Sequence, residues 1–209
     1  HISNYTDFDP LEQEAGVSVH YLDHRSTLEN LDLLILPGTK NTIADLLYLK
    51  QTGLAAKIKA YAAAGGRVTG ICGGFQMLGQ LVRDPMGVEG LEPEAAGLGL
   101  LPIVTTMAGE KTTTQVEARF LGWGDEGPTV VGYEIHMGVT EAVGEGRGVF
   151  EICRRLEEPV SLPDGWASPD WRTWGSYIHG LFDSDAFRQS WLAELRREKG
   201  IEATDGEKY

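Results

Sequence analysis

Apolar and polar positions follow two different rhythms along this chain, and the rhythm changes near residue 98. Before it, the runs GVSVHYL (Gly16 to Leu22), LDLLILPG (Leu31 to Gly38) and GRVTGIC (Gly66 to Cys72) are short, Leu-rich or β-branched, and closed by turn residues. Such runs predict buried strands. Between them, NTIADLLYLKQ opens on Asn41 and Thr42 as cap residues, with Asp45 placed for a capping-box-like contact. In LAAKIKAYAAAGG, Leu54, Ile58 and Tyr61 fall on one helical face and Gly65 ends the helix. Strand alternating with helix implies right-handed crossovers, so the expected fold is α/β in three layers, a mostly parallel central sheet flanked by helices.

Beyond Leu98 the runs become richer in Thr, Val and Gly: LGLLPIVTTM, TTTQVEARFLG and PTVVGYEIHMGVTEAV. They predict an antiparallel extension of the sheet in the second half. EEPVSLPDGWASPDW reads as a loop, with its tryptophans as a local mini-core, and RTWGSYIHGLF as a strand. A last helix is expected in SDAFRQSWLAELRREKG, where Phe187, Trp191, Leu192 and Leu195 form one stripe. Residues 1–200 are therefore expected to form one domain, followed by a polar tail over 201–209. The opening at His1 suggests a segment of a longer protein.

Composition narrows the function. The chain has 209 residues, with 18 Lys and Arg against 31 Asp and Glu, a net charge of −13. Such a surface repels phosphate backbones and anionic lipid headgroups, so neither nucleic acid nor membrane is an expected partner. No apolar run reaches the roughly 18 residues a membrane span requires, and no signal pattern opens the chain. Two cysteines are too few for a disulfide scaffold, which points to free thiols in a reducing, cytoplasmic compartment, and no metal site is expected.

The candidate chemistry sits at GGRVTGICGGFQMLGQLV. A strand running into Cys72 and straight on into a helix pattern has the layout of a nucleophile elbow, with cysteine where many hydrolases place serine. Gly70, Gly73 and Gly74 suit a turn too tight for β-carbons. The helix start favours a thiolate through its free N–H groups. A phosphate-cradling loop is a poor alternative, because the Lys and Ser/Thr of a P-loop are missing.

A cysteine nucleophile needs a proton shuttle. His20 and His24 read as solvated, whereas His136 (GYEIHMG) and His179 (SYIHGLF) lie on or at the end of strands. His179 is the first candidate, because strand ends are where α/β folds present catalytic groups, and His136 the second. Cys153, in VFEICRR, has no glycine corner and reads as packing.

GICGGFQMLG resembles the nucleophile motif of the class I (triad) glutamine amidotransferases, whose fold is flavodoxin-like. ISNYTDFDPL, LPGTKNT, GYEIHMG and YIHGLF together are similar to the cobyric acid and cobyrinic acid synthase branch of that family. The resemblance implies that Cys72 attacks the side-chain amide of glutamine to form a thioester and that His179 acts as general base and acid. Gly38 and Gly73 would offer oxyanion N–H groups, each such donor contributing roughly 3 to 4 kcal/mol. Gln76 would help to position the substrate. It also implies a synthetase domain on the N-terminal side, which would hold ATP and Mg²⁺ and amidate adenosylcobyrinic acid a,c-diamide; no cofactor is expected in this domain. A glutaminase serving another acceptor, such as peptidoglycan lipid II, and a non-catalytic flavodoxin-like binding module are the rival readings. Where commoner triad enzymes carry a Glu two residues after the histidine, this chain has Leu181. Asp183 and Glu134 are the candidates to orient His179, although Asp183 reads better as the cap of the last helix and Glu134 as a polar sheet residue.

Overall fold

The computed structural model describes residues 5–123 and 127–201. A short helix α1 (Asp9–Glu12) precedes β1 (Leu34–Leu36), α2 (Thr42–Gln51), α3 (Leu54–Ala63), β2 (Val68–Ile71) and α4 (Gly73–Leu78). β1 and β2 pair in parallel, and β10 (Thr173–Ser176) joins the other side of β2, also in parallel. This block is the expected three-layer core. Along β1 the side chains alternate between faces: Leu34 and Leu36 enter the apolar cluster that holds Ile43, Leu46 and Ile58 of α2 and α3. Leu33 and Ile35 pack on the opposite cluster, with Phe187, Trp191 and Leu192 of the last helix, α5 (Asp185–Glu198). The period of two in a strand requires this division when helices cover both faces. Asn41 caps α2 as expected, accepting the Ala44 N–H at 2.8 Å, whereas Asp45 accepts a hydrogen bond from the Thr39 hydroxyl.

The second half builds the larger sheet. β5 (Ile103–Phe120) and β6 (Thr129–Ala142) form a long antiparallel ladder whose register shifts between Thr106 and Lys111. β3 (Leu81–Arg83) and β4 (Glu94–Ala96) extend one edge of it, and β7 (Phe150–Arg155) and β8 (Glu158–Asp164) branch from β5. β11 (Ile178–His179) pairs with β6. Thus LGLLPIVTTM and TTTQVEARFLG contribute to one strand, and RTWGSYIHGLF is split at Tyr177 between two sheets.

Further expectations are corrected. GVSVHYL is not a strand: Val17 and Val19 pack on the core, which gives the alternation, but the segment pairs with no strand among the described residues. Most of EEPVSLPDGWASPDW is strand rather than loop, as β8 and β9 (Trp166–Ala167). Its prolines are tolerated because β8 pairs with β7 alone and so is an edge strand. Cys153 is exposed rather than packed, because the register shift between Ile152 and Arg154 turns it outward. The tryptophans of this stretch do not form the local mini-core expected: Trp171 and Trp166 pack against opposite clusters, and Trp174 joins Phe120, Phe150, Phe187 and Trp191 in the main core. The tail over 202–209 lies outside the described residues.

Candidate active site

β2 runs directly into Cys72, which takes φ 53° and ψ −112°, a backbone conformation that L-residues adopt only under strain. The glycines around it explain how the turn is possible. A β-carbon on Gly70 would stand 2.6 Å from the Phe75 nitrogen, and one on Gly74 would stand 2.0 Å from the Leu36 carbonyl oxygen. One on Gly73 would meet Thr39 Cγ2 at 2.5 Å and the Thr39 amide nitrogen at 3.1 Å. The elbow therefore folds onto the loop after β1 with no room for side chains between them.

That loop carries Gly38, which is buried. It is braced from two sides. Asp45 accepts from the Thr39 hydroxyl, and the Glu89 carboxylate accepts the Thr42 N–H at 2.7 Å and the Ile43 N–H at 3.3 Å. Burial pushes the Glu89 carboxyl above its ordinary pKa, against these hydrogen bonds. The structure thus sets Thr39 against Gly73, the residue after Cys72, with Gly38 next to Thr39 in the same loop. Thr39 is a neighbour that the sequence reading passed over.

His179 closes the other side. Its Nδ1 hydrogen-bonds to Asp7 Oδ2 at 2.7 Å, and the other Asp7 oxygen accepts the Gly180 N–H at 3.0 Å. Tyr133 stacks on the imidazole, centroids 5.2 Å apart and nearly parallel at 11°. Burial alone would depress the imidazole pKa; hydrogen bonding to Asp7 and Cys72, and the charges of both, outweigh it and push the pKa up to about 9. His179 is therefore an imidazolium at neutral pH, with Asp7 on one nitrogen and the Cys72 sulfur within reach of the ring. This is the charge partner a thiolate needs.

The orienting carboxylate is Asp7, and neither Asp183 nor Glu134 takes that place. Glu134 is tied to Arg155 at 2.9 Å and to His136 Nε2 at 3.4 Å. Asp183 precedes Ser184, the residue at the N-cap position of α5, which makes no side-chain capping bond. The Asp7 signal was present in ISNYTDFDPL, but no spacing rule connects residue 7 to residue 179.

The remaining candidates are engaged elsewhere. Gln76, 3% exposed, accepts from the Thr42 hydroxyl at 2.8 Å and donates to the Met137 carbonyl and the Tyr177 hydroxyl, each at 3.2 Å. Its amide ties α4 to α2 and β6. His136 stacks on Tyr177 with centroids 3.8 Å apart, its Nδ1 facing the Gly138 carbonyl at 3.2 Å. Cys72 itself is 7% exposed and His179 4%, and the sulfur lies 3.3 Å from the Ile135 carbonyl oxygen, a hydrogen bond open to the thiol form and lost when the proton leaves.

Among the described residues no three His, Cys, Asp or Glu side chains group to hold a metal ion. The glycines at 73 and 74 are filled by the Leu36–Thr39 loop, so they offer no phosphate cradle. No described helix is long and apolar enough to cross a membrane.

A strained cysteine at a strand–helix corner, beside an imidazole that a carboxylate holds, is the arrangement cysteine-dependent hydrolases and transferases use on α/β folds. Solved structures share that fold: the chain aligns with the structure of PurLQS from Thermotoga maritima with TM-score 0.61 and 18% identity, over 92% of each chain. It aligns with a crystal structure of a glutamine amidotransferase with TM-score 0.57 and 18% identity, over 80% of each chain. Residues 1–187 match the CobB/CobQ-like glutamine amidotransferase domain. The chain belongs to that family. It is 45% identical to the cobyric acid synthase of Syntrophobacter fumaroxidans and 46% identical to that of Moorella thermoacetica, covering 96% and 98% of this chain. It spans about 40% of the length of each of these relatives.

Proposed function

We propose that the chain hydrolyses glutamine through a thioester on Cys72 and passes the ammonia to an amide-forming synthetase domain. The observation that carries this reading is the contiguous Cys72, His179 and Asp7 arrangement, with the imidazole pKa raised to about 9. The thiolate adds to the carboxamide carbon of glutamine, and the oxyanion formed is met by the amide of Gly73 and by an amide of the Gly38–Thr39 loop. The His179 imidazolium gives its proton to the departing nitrogen, so that ammonia leaves as the C–N bond breaks and the thioester remains. Neutral His179 then takes a proton from water, whose oxygen attacks the thioester carbon. Glutamate leaves, and the thiolate and imidazolium are restored. Asp7 holds the ring in the tautomer that keeps its other nitrogen on the sulfur side, and stabilises the charge. Gln76 acts by holding α4 in register rather than by touching glutamine.

The relatives are cobyric acid synthases, and this chain covers the share of them that matches the amidotransferase family. The acceptor in this reading is adenosylcobyrinic acid a,c-diamide, amidated by a companion domain that supplies ATP and Mg²⁺ chemistry in the cytoplasm. Neither cysteine is tied up in a disulfide, which leaves the Cys72 sulfur free to attack. The test is glutamine hydrolysis by the intact protein beside Cys72→Ala and His179→Ala. Loss of hydrolysis in both variants, with the fold kept, supports the reading; equal activity in all three ends it.

A further inference from the structure

Tyr177 is the single residue between β10, which pairs with β2, and β11, which pairs with β6. The chain thus crosses from one sheet to the other over three residues, Ser176 to Ile178. The nucleophile hangs from the first sheet and the base from the second, so this crossing sets the spacing between them. A buried carboxylate that the proposed chemistry does not use grips the crossing. It is Asp164, the last residue of β8, which lies opposite Phe150 and is 5% exposed.

One Asp164 oxygen accepts the Ser176 hydroxyl, and the other accepts the Tyr177 N–H at 3.2 Å. The Ser176 oxygen in turn accepts the Ile178 N–H at 3.0 Å. The Ser176 carbonyl accepts the Cys72 N–H at 2.8 Å. One carboxylate therefore fixes three successive residues, with the nucleophile bonded to the first and the base following the last. Holding a charge there is costly. Burial dominates and pushes the Asp164 carboxyl up to about 6 despite both hydrogen bonds; the charge of Glu134 acts in the same direction and that of His136 against it. Any sheet joint could be made with neutral groups, and a carboxylate retained at such a cost marks a demand on geometry.

We propose that Asp164 is a positioning residue for the thiol–imidazole pair, clamping the Ser176–Ile178 crossing so that Cys72 and His179 keep their working separation. The proposal rests on the glutaminase reading above. Its test is the kcat and KM of glutamine hydrolysis for the intact protein and for Asp164→Asn, Ser176→Ala and the double variant. Melting temperatures at pH 8 are recorded, with Cys72→Ala run alongside. A misplaced pair costs turnover rather than binding, so kcat should fall about 10- to 100-fold in each single variant while KM stays within about twofold. The double variant should fall no further than the worse single, because both remove one link. Asp164→Asn removes a buried charge, so its melting temperature at pH 8 should not drop. A purely structural joint would lose stability and activity together.

A kcat within about twofold of the parent in Asp164→Asn, or a loss that tracks unfolding in both single variants, overturns the proposal. Should Asp164→Asn fail to fold, Ser176→Ala decides by the same kcat criterion. Hydrolysis that persists in Cys72→Ala overturns the glutaminase reading itself. Hydrolysis lost in Cys72→Ala but unchanged in the Asp164 and Ser176 variants overturns only the positioning role.

Discussion

The two sides of the site are held by different means. On the Cys72 side the backbone does the holding: Gly73 and Gly74 let the elbow press onto the Leu36–Thr39 loop, Gly70 lets it fold back on Gly74 and Phe75, and Cys72 sits between them at a strained φ. On the His179 side buried carboxylates do it, with Asp7 on the ring and Asp164 on the strand crossing behind it. Backbone fit fails all at once when a single carbon is added. Side-chain anchoring fails by degrees, and in ways that depend on pH.

The sharpest way to break the second kind of support is Asp7→Asn. It keeps the shape but removes the charge that favours imidazolium, and kcat should fall by about two to four orders of magnitude in a glutaminase assay. A fall of less than tenfold would make Asp7 a bystander. Gly74→Ala breaks the first kind. Its β-carbon would stand 2.0 Å from the Leu36 oxygen, so a loss of about 3 kcal/mol or more, read from denaturant unfolding, is expected together with loss of activity.

A pH titration of stability separates the two sides further. The His179 pKa is raised in the fold from 6.5 to about 9. The folded state therefore binds more protons than the unfolded chain in that window, so its contribution is complete below 6.5 and is lost as pH rises through about 9. The melting temperature should decline across that range. The decline should be shallower in Asp7→Asn and absent in His179→Ala, and an unchanged slope in His179→Ala would contradict the assignment. Smaller effects are expected at the margins. Asn41→Ala removes the cap of α2 beside the Gly38 loop and should cost about 1 kcal/mol, measured by thermal melting, with hydrolysis largely kept. Cys153→Ser, at an exposed bulge, should change neither activity nor stability beyond about 0.5 kcal/mol.

The same contrast explains what could be read from the sequence. The elbow was legible because its demands are local: glycines two before, one after and two after Cys72 answer contacts made within one turn of chain or with a single neighbouring loop. The parallel core was legible because strand and helix periods are local too. Asp7 lies 172 positions from His179, and Asp164 lies 12 positions from Ser176 across a bend in the fold, so no spacing ties either to its partner. The search for a carboxylate near His179 in sequence led instead to Asp183 and Glu134, whose surroundings in space are different. Gln76 carried a motif position but not a free amide. GVSVHYL alternated as a strand does, yet alternation records which side of an extended chain is covered, and says nothing about a neighbour to pair with.

With Cys72 buried and its thiol bonded to the Ile135 carbonyl, the resting site is shuttered. On the glutaminase reading a carboxamide needs one open face of the sulfur, so apparent affinity for the amide donor scales with the fraction of the protein in which that face is open. The same shutter slows peroxide and other small oxidants on their way to the thiol.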